Sequence, residues 1–224
     1  MSLISDNLAI LKQRIAAACT ARGRPADAAR LLAVSKTFGV EAILQAVEAG
    51  QREFGENYVQ EALDKIQKLA GHSLVWHFIG PIQSNKTRDI AEHFDWVQSV
   101  DRLKIAQRLS DQRPADRPAL NVCIQVNISG EATKSGCAPE DTLTLCRSVV
   151  ALPRLQLRGL MAIPAPDAGA KAFRDLHDLY EKIRRSGVEM DTLSAGMSDD
   201  FALAIAEGAT MVRIGSSIFG SRKP

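Results

Sequence analysis

Apolar positions along this chain follow two patterns, one typical of amphipathic helices and one typical of buried strands. Leu8, Leu11 and Ile15 recur at three- and four-residue intervals and predict an N-terminal helix. Further on, short runs rich in leucine, isoleucine and valine alternate with longer segments that carry an apolar stripe. Buried parallel strands can be apolar on both faces, so these runs are interpreted as strands. The predicted strands are 31–36, 52–55, 74–79, 96–100, 120–128, 155–163, 192–195 and 211–219, and the predicted helices after the first seven are 40–49, 58–69, 85–94, 102–110, 140–152, 170–185 and 199–207.

Eight strands, each but the last followed by a helix, indicate a parallel sheet covered by helices. In a chain of 224 residues this pattern fits a single α/β domain, a (β/α)8 TIM-type barrel over 1–224 with an additional N-terminal helix. An open, doubly wound sheet is the alternative. No GxGxxG or GxxxxGK[ST] sequence follows an early strand, which counts against the nucleotide-binding versions of that sheet.

Composition and charge exclude several classes of function. Apolar residues make up 46% and charged residues 24% of the chain, as is usual for a globular protein. A net charge of +2 gives no electrostatic basis for binding nucleic acid or an anionic membrane surface. No apolar run is long enough to span a bilayer, and the N-terminus does not resemble a signal peptide. The four cysteines show no CxxC spacing and the four histidines no metal-binding spacing, so we expect a cytoplasmic protein with free thiols and no metal site.

A lysine stands at the carboxyl end of the first predicted strand, directly after the sequence LLAVS. On a strand, Leu32, Val34 and Lys36 point to one face, which places the stem of Lys36 over apolar neighbours. Partial desolvation lowers the pKa of a lysine, and such a lysine can form a Schiff base with a carbonyl compound. The alternative is a lysine whose stem covers apolar surface while its ammonium reaches water.

Two small, hydroxyl-rich loops follow the seventh and eighth predicted strands. Ser194 and Gly196 belong to the first loop, SAGMS, and Gly215 and Ser216 belong to the second, GSS. A (β/α)8 barrel often holds a phosphate at these two positions, where backbone N–H groups and a helix N-terminus favour an anion. Two ordinary tight connections are the alternative.

An arginine in the last predicted strand points where a core side chain belongs, because Arg213 shares a face with Met211 and Gly215. A buried arginine needs a partner. That partner is either an acidic strand residue, Glu53 or Glu56, or an aromatic nitrogen of a bound ring. A Schiff-base lysine, an arginine for a ring nitrogen and two phosphate loops together match one ligand, pyridoxal 5′-phosphate (PLP).

Seven segments resemble, in order, the YggS/PROSC family of pyridoxal-phosphate homeostasis proteins: AVSKTF, REFGENYVQEA, WHFIGPIQSNK, VNISGEATKSG, RGLMAIP, LSAGMSDD and VRIGSSIFG. The resemblance extends from about residue 31 to residue 220. Three positions depart from the family pattern: Ala195 replaces the usual methionine, Ser216 a common threonine and Ile82 a common leucine. All three changes are conservative.

The resemblance implies a (β/α)8 barrel like that of bacterial alanine racemases, without their second, all-β domain. It also implies an internal aldimine on Lys36, phosphate contacts near Ser194, Gly215 and Ser216, and Arg213 at the pyridine nitrogen. We therefore expect a protein of intracellular vitamin B6 homeostasis that holds PLP and can deliver it to apo forms of PLP-dependent enzymes. We expect it to be a monomer that binds neither nucleic acid nor membrane.

Other polar residues lie at or near the ends of the predicted strands, and His77 lies within the third strand. Asn57 either bonds ring substituents of the cofactor or caps the following helix. His77 is interpreted as a core histidine with satisfied hydrogen bonds. Lys86 and Lys134 are solvated charges by default, but either could receive the aldehyde transiently.

Two enzymatic functions remain as alternatives to a carrier. A racemase needs acid–base groups on both faces of the cofactor. In the similar racemases the second group is a tyrosine from the second domain of a partner subunit, a domain we expect to be absent because the chain ends four residues after Gly220. A Schiff-base aldolase without cofactor fits the arginine and the phosphate loops, but not the ordered family motifs.

Overall fold

The chain folds into a closed barrel of parallel strands. A computed structural model describes residues 2–131, 134–165 and 168–220. Within them, eight parallel strands pair in chain order, and the first strand closes the barrel against the eighth. Leu32 lies opposite Arg213, and Ala33 lies opposite Ile214, in this closing pair. The predicted (β/α)8 barrel is confirmed, and the open doubly wound alternative is wrong.

The described strands and helices alternate along the chain as the apolar pattern predicts. The strands are β1 (Arg30–Val34), β2 (Glu53–Glu56), β3 (Val75–Phe78), β4 (Trp96–Val100), β5 (Leu120–Gln125), β6 (Leu155–Met161), β7 (Thr192–Ser194) and β8 (Met211–Ile214). The helices are α1 (Leu3–Thr20), α2 (Val40–Glu48), α3 (Val59–Lys68), α4 (Thr87–His93), α5 (Leu103–Gln112), α6 (Thr142–Val150), α7 (Gly169–Arg185), α8 (Phe201–Ala206) and α9 (Ser216–Phe219). Three short 3₁₀ turns lie at Ala70–His72, Ser84–Lys86 and Pro139–Asp141.

The last element differs from the prediction of one strand over 211–219. β8 ends at Ile214, and the residues from Ser216 to Phe219 form the short helix α9. The N–H groups of Ile218 and Phe219 both donate to the carbonyl oxygen of Gly215. The apolar residues around the GSS sequence look like a continuous strand, but a barrel strand must turn outward once it leaves the sheet. The last strand is therefore also followed by a helix.

The additional N-terminal helix completes the outer layer of the barrel. α1 packs against α8, α2 and α9. Because α9 is only one turn long, α1 takes the position that a full helix after β8 would occupy. Its buried face, formed by Leu8, Leu11, Ile15 and Cys19, joins the apolar core between helices and strands.

The amino-terminal end of the barrel is closed by stacked side chains. The guanidinium carbons of Arg30 and Arg158 lie over the Trp96 ring, 5.2 Å and 5.0 Å from its centroid. The His77 ring stacks on Trp96 with centroids 5.1 Å apart. Arg158 also forms an ion pair with Asp191. This packing leaves the opposite end, where the strands have their carboxyl termini, as the end available to a ligand.

Candidate functional site

A cavity of about 270 Å³ opens at the carboxyl ends of the strands. Five predicted site residues line it: Lys36, Asn57, Arg213, Gly215 and Ser216. They come from the loops after β1, β2 and β8 and from β8 itself. The fold thus brings together the lysine, the arginine and the second of the two proposed phosphate loops, as the sequence predicts.

Lys36 lies in the loop after β1 and not on the strand face that the sequence predicted, because β1 ends at Val34. Its side chain is half-buried and faces the cavity. Both neighbours are held by α3 and β2: the Ser35 hydroxyl donates to Glu56 Oε1 (2.6 Å), and the Thr37 N–H donates to Glu61 Oε1 (2.6 Å). Thr37 adopts a positive φ of 69°, which is unfavourable for a β-branched residue. The loop therefore positions Lys36 through contacts that the neighbouring residues make.

A buried ion cluster supports this loop from outside the barrel. Lys65 Nζ lies 2.7 Å from Glu56 Oε1, 2.5 Å from Glu61 Oε1 and 2.8 Å from the carbonyl oxygen of Ser35. Glu56 is fully buried, and its Oε2 has no hydrogen-bond partner among the described residues. Burial raises the pKa of Glu56, and the attraction of Lys65 only partly opposes this effect. This cluster was not predicted from the sequence, although a lysine on the buried face of α3 was a signal for it.

Arg213 is buried in the barrel interior, and its partners are neutral. Its Nη1 donates to Ser194 Oγ (2.7 Å), and its Nη2 donates to the carbonyl oxygen of Ala162 (2.8 Å). In the part of the chain that the structure describes, Glu53 pairs with Arg30 and Glu56 pairs with Lys65, so the predicted alternative of a structural ion pair is wrong. Burial lowers the pKa of Arg213 to about 10, which still leaves the guanidinium charged at neutral pH. A charged side chain that has no carboxylate partner among the described residues thus faces the cavity.

The two proposed phosphate loops meet at the cavity. Ser198 Oγ and Ser216 Oγ are 2.9 Å apart, one from each loop. Gly215 is packed so closely that a Cβ there would lie 2.9 Å from the carbonyl oxygen of Val34. Hydroxyl groups and a backbone without a side chain are suited to the oxygens of an anion.

Ser194 and Gly196, the two remaining predicted site residues, belong to the first loop and are not among the described lining residues of the cavity. The fully buried Ser194 hydroxyl accepts from Arg213 and donates to Gln98 Oε1 (2.6 Å). Gly196 has a φ of 94°, and a Cβ there would lie 2.7 Å from the Cβ of Ala204. The structure therefore places Ser194 against Arg213 and Gly196 against α8.

Asn57 presents an unsatisfied acceptor at the cavity. Its Oδ1 is buried and has no hydrogen-bond partner among the described residues. The predicted alternative of a helix cap is wrong, because α3 begins after Tyr58 and no side chain caps it. A buried carbonyl oxygen that faces a cavity is suited to a hydrogen-bond donor on a ligand.

The remaining predicted residues lie around the site. His77 is fully buried, as predicted for a core histidine, and its Nδ1 is 2.9 Å from Gln98 Nε2. Its Nε2 has no hydrogen-bond partner among the described residues, so the prediction of satisfied hydrogen bonds is wrong at that nitrogen. Lys134 lines a neighbouring cavity that shares Asn57 and Ile163 with the main one, and it lies 3.7 Å from Glu131. Lys86 ends a 3₁₀ turn and is not among the described lining residues of the main cavity. No group of metal-binding side chains occurs in 2–131, 134–165 and 168–220, and none of the helices described there is long and apolar enough to cross a membrane.

The chain matches one family along nearly its whole length. The model of the alanine racemase N-terminal domain matches residues 6–223. This chain therefore belongs to the family of (β/α)8 barrels that forms the N-terminal domain of alanine racemases. Alanine racemase from Corynebacterium glutamicum has the same fold, with 18% identity and a TM-score of 0.74 over 98% of this chain and 60% of the racemase.

More similar relatives carry the name that the sequence motifs suggested. The pyridoxal phosphate homeostasis protein of Pseudomonas aeruginosa is 58% identical over 226 residues, which cover 99% of this chain and 97% of the relative. PipY of Synechococcus elongatus has been solved without PLP (TM-score 0.87, 36% identity) and with PLP bound (TM-score 0.82, 34% identity), each match covering 97% of this chain and 100% of PipY. The resemblance to the YggS/PROSC proteins is confirmed.

Proposed function

We propose that this protein binds PLP in the cavity at the carboxyl ends of its strands and serves PLP homeostasis. Lys36, the charged Arg213 and the loop at Gly215 and Ser216 all line one cavity, and this arrangement is the main support for PLP binding. The unsatisfied Asn57 Oδ1 adds an acceptor to this set. The PLP-bound PipY structure and the homeostasis relative support the same ligand.

Each residue supplies a different interaction. PLP brings an aldehyde that condenses with an amine, and Lys36 is the amine that lines the cavity. Arg213 donates to the ring nitrogen and keeps it unprotonated, because a guanidinium donates hydrogen bonds but does not release its proton. Gly215, Ser198 and Ser216 surround the phosphate. Ser194 contributes to the site by holding Arg213.

We further propose that the protein holds and exchanges the cofactor and does not turn over amino acids. An unprotonated ring nitrogen makes PLP a weak electron sink, which disfavours racemisation. Among the described lining residues, Asp199 is the one with a carboxyl group, and it is exposed to solvent. An acid that is exposed to water gives little control over how a carbanion is reprotonated, because water competes with it.

The compartment, oligomeric state and recipients that we propose are based on the family resemblance. We propose a cytoplasmic monomer that passes PLP to apo-enzymes. The four cysteines are unpaired, as in a reducing compartment. Light scattering measures the mass of the protein in solution, and a dimer would contradict the monomer.

Borohydride reduction followed by peptide mass mapping tests the binding site. We expect the pyridoxyl group on Lys36 in the wild type and no label at that peptide in Lys36→Ala. Lys134→Ala is the matched control and should be labelled like the wild type at Lys36. A label found mainly on Lys86 or Lys134 would show that the covalent site lies elsewhere.

Exchange of the α-hydrogen of alanine in deuterium oxide, followed by NMR, tests the carrier function. We expect no exchange faster than with free PLP. Rapid, stereospecific exchange that is lost in Lys36→Ala and in Asp199→Asn would identify a racemase. General acid–base catalysis contributes about 10²–10⁴-fold, so such activity would be easy to detect.

A further inference from the structure

A continuous series of polar side chains runs through the barrel interior, where (β/α)8 barrels normally pack branched apolar residues. It begins at Arg213 on β8 and continues through Ser194 on β7, Gln98 on β4 and His77 on β3 to Glu53 on β2. Ser194, Gln98 and His77 are fully buried. Burying this many polar groups costs free energy that apolar side chains would not, which indicates that the series does more than fill the barrel interior.

The contacts in this series are short except at its far end. Arg213 Nη1 to Ser194 Oγ is 2.7 Å, Ser194 Oγ to Gln98 Oε1 is 2.6 Å, and Gln98 Nε2 to His77 Nδ1 is 2.9 Å. His77 Nε2 lies 3.4 Å from Glu53 Oε2, which is within ion-pair distance, but it makes no hydrogen bond to any of the described residues, so the hydrogen-bonded part of the series ends at His77. Glu53 in turn accepts from Arg30 at the amino-terminal end of the barrel (3.1 Å).

The direction of every hydrogen bond in the series follows from the arginine. A guanidinium only donates, so Ser194 Oγ must accept from Arg213 and its single O–H is directed at Gln98 Oε1. The other end of the Gln98 amide then presents its NH₂ to His77 Nδ1. His77 accepts at Nδ1, so it carries its proton on Nε2, the nitrogen that faces the Glu53 carboxylate.

The reversed amide orientation is disfavoured. It would require a proton on His77 Nδ1 and, in the neutral ring, would direct the Nε2 lone pair at the Glu53 carboxylate. Burial lowers the pKa of His77, which keeps the ring neutral. Gln98 also directs its NH₂ at the weak acceptor Met211 Sδ, 3.1 Å away. The series therefore has one consistent arrangement.

We infer that Gln98 and His77 are positioning residues that orient the Arg213 guanidinium toward the ring nitrogen of the bound cofactor. This inference rests on the proposed binding of PLP. Because Ser194 and the Ala162 carbonyl are neutral partners, the positive charge of Arg213 stays available to the ligand. Gln98 fixes the Ser194 hydroxyl as an acceptor for Arg213, and His77 fixes the orientation of Gln98. Residues of β3 and β4 thus act on the ligand without touching it.

Two substitutions of similar size at position 77 distinguish a role in orienting Arg213 from a role in packing the barrel interior. In His77→Asn, the carbonyl oxygen of the introduced amide can replace Nδ1 as the acceptor for Gln98. In His77→Leu, a side chain of similar shape offers no acceptor. Both remove the imidazole ring that stacks on Trp96, and they differ in whether Gln98 keeps an acceptor.

The ligand probe is PLP compared with 1-deazapyridoxal 5′-phosphate, in which a C–H group replaces the ring nitrogen. The ratio of their dissociation constants measures the contribution of Arg213 at that nitrogen. We expect the wild type to bind PLP more tightly than the deaza analogue, and His77→Asn to keep most of that preference. In His77→Leu the ratio of the two dissociation constants should shrink about three- to tenfold, which is the effect of one net hydrogen bond. The absorption maximum of bound PLP should shift in His77→Leu and not in His77→Asn.

Equal preference for PLP in the wild type, His77→Leu and His77→Asn would show that the series only packs the barrel and would overturn the inference. A wild type that binds neither ligand would instead overturn the proposed function. If thermal melting shows that His77→Leu does not fold, Gln98→Met, which removes the amide from a chain of similar length, gives the same comparison. A Gln98→Met protein with the wild-type preference would equally overturn the inference.

Discussion

At the scale of single residues, the site depends on groups whose charge or acceptor capacity is left for a ligand. Arg213 binds only neutral partners, and Asn57 Oδ1 has none among the described residues. Both features are unfavourable in the protein alone, because a buried polar group without its full set of partners lowers stability. Such groups are typical of a site that is completed by its ligand.

Ser216→Asp tests the phosphate loop at this scale. A carboxylate beside a phosphate repels it and removes a hydroxyl donor, and charge-assisted hydrogen bonds contribute about 1.5–3 kcal/mol. We therefore expect PLP to bind about ten- to a hundredfold more weakly, while pyridoxal, which lacks the phosphate, should be affected much less. Fluorescence titration with both ligands measures this difference.

Ser216→Asn is the matched control, since it has nearly the same size as the aspartate but no charge. It should bind PLP far better than Ser216→Asp does. An equal loss of affinity for PLP and for pyridoxal in Ser216→Asp would show that the phosphate is held elsewhere.

At the scale of elements, close approach of strands fixes the shape of the barrel. Gly159 on β6 pairs with Thr192 on β7, and a Cβ at Gly159 would overlap the Thr192 carbonyl oxygen. That carbonyl belongs to the sheet backbone and cannot move aside as a flexible side chain could. β7 also carries Ser194, so its position affects the support of Arg213.

Gly159→Ala should therefore destabilise the protein by more than about 3 kcal/mol, which is large for a single substitution. Denaturant unfolding measures the loss. Gly71→Ala is the control, because a Cβ at Gly71 meets nothing within 4 Å and Gly71 lies in a 3₁₀ turn. A Gly159→Ala protein as stable as Gly71→Ala would contradict the close approach of β6 and β7 at Gly159.

At the scale of the whole molecule, buried charge links stability to pH. Burial raises the pKa of Glu56 above its ordinary value of 4.5. Between 4.5 and the raised value, the folded state binds more protons than the unfolded state, so the free energy of unfolding falls as pH rises through this window. The pKa of Glu53 is lowered instead, and its contribution is lost as pH falls.

Glu56→Gln removes the carboxyl group with the raised pKa, while it keeps the size of the side chain and its ability to form hydrogen bonds. We expect the stability of the wild type relative to Glu56→Gln to decrease as pH rises above 4.5, measured by urea unfolding at several pH values. Glu48→Gln, at an exposed position of α2, serves as the control and should follow the wild type. A difference between the wild type and Glu56→Gln that stays constant, or increases with pH, would contradict the raised pKa.

The sequence by itself determined the succession of elements and the chemistry at the strand ends. Apolar periodicity is a local property, so it predicted eight strands, the additional α1 and the place of Arg213 in the last strand. It was wrong about α9 and about the strand position of Lys36, because where a strand leaves the sheet depends on pairing with its neighbours. The residue types at the strand ends and the family motifs both indicated PLP as the ligand.

Only the tertiary structure decided which polar residues meet inside the barrel. Gln98 and Met211 are 113 positions apart in the chain, yet they are in contact, and Ser194 turns toward Gln98 and Arg213 rather than lining the cavity. The Glu56–Lys65 cluster likewise joins β2 to α3 beneath the Lys36 loop. Such contacts depend on how the closed barrel sets the depth and direction of each side chain. A residue's type and its position in one strand do not specify the partner that a distant strand brings to it.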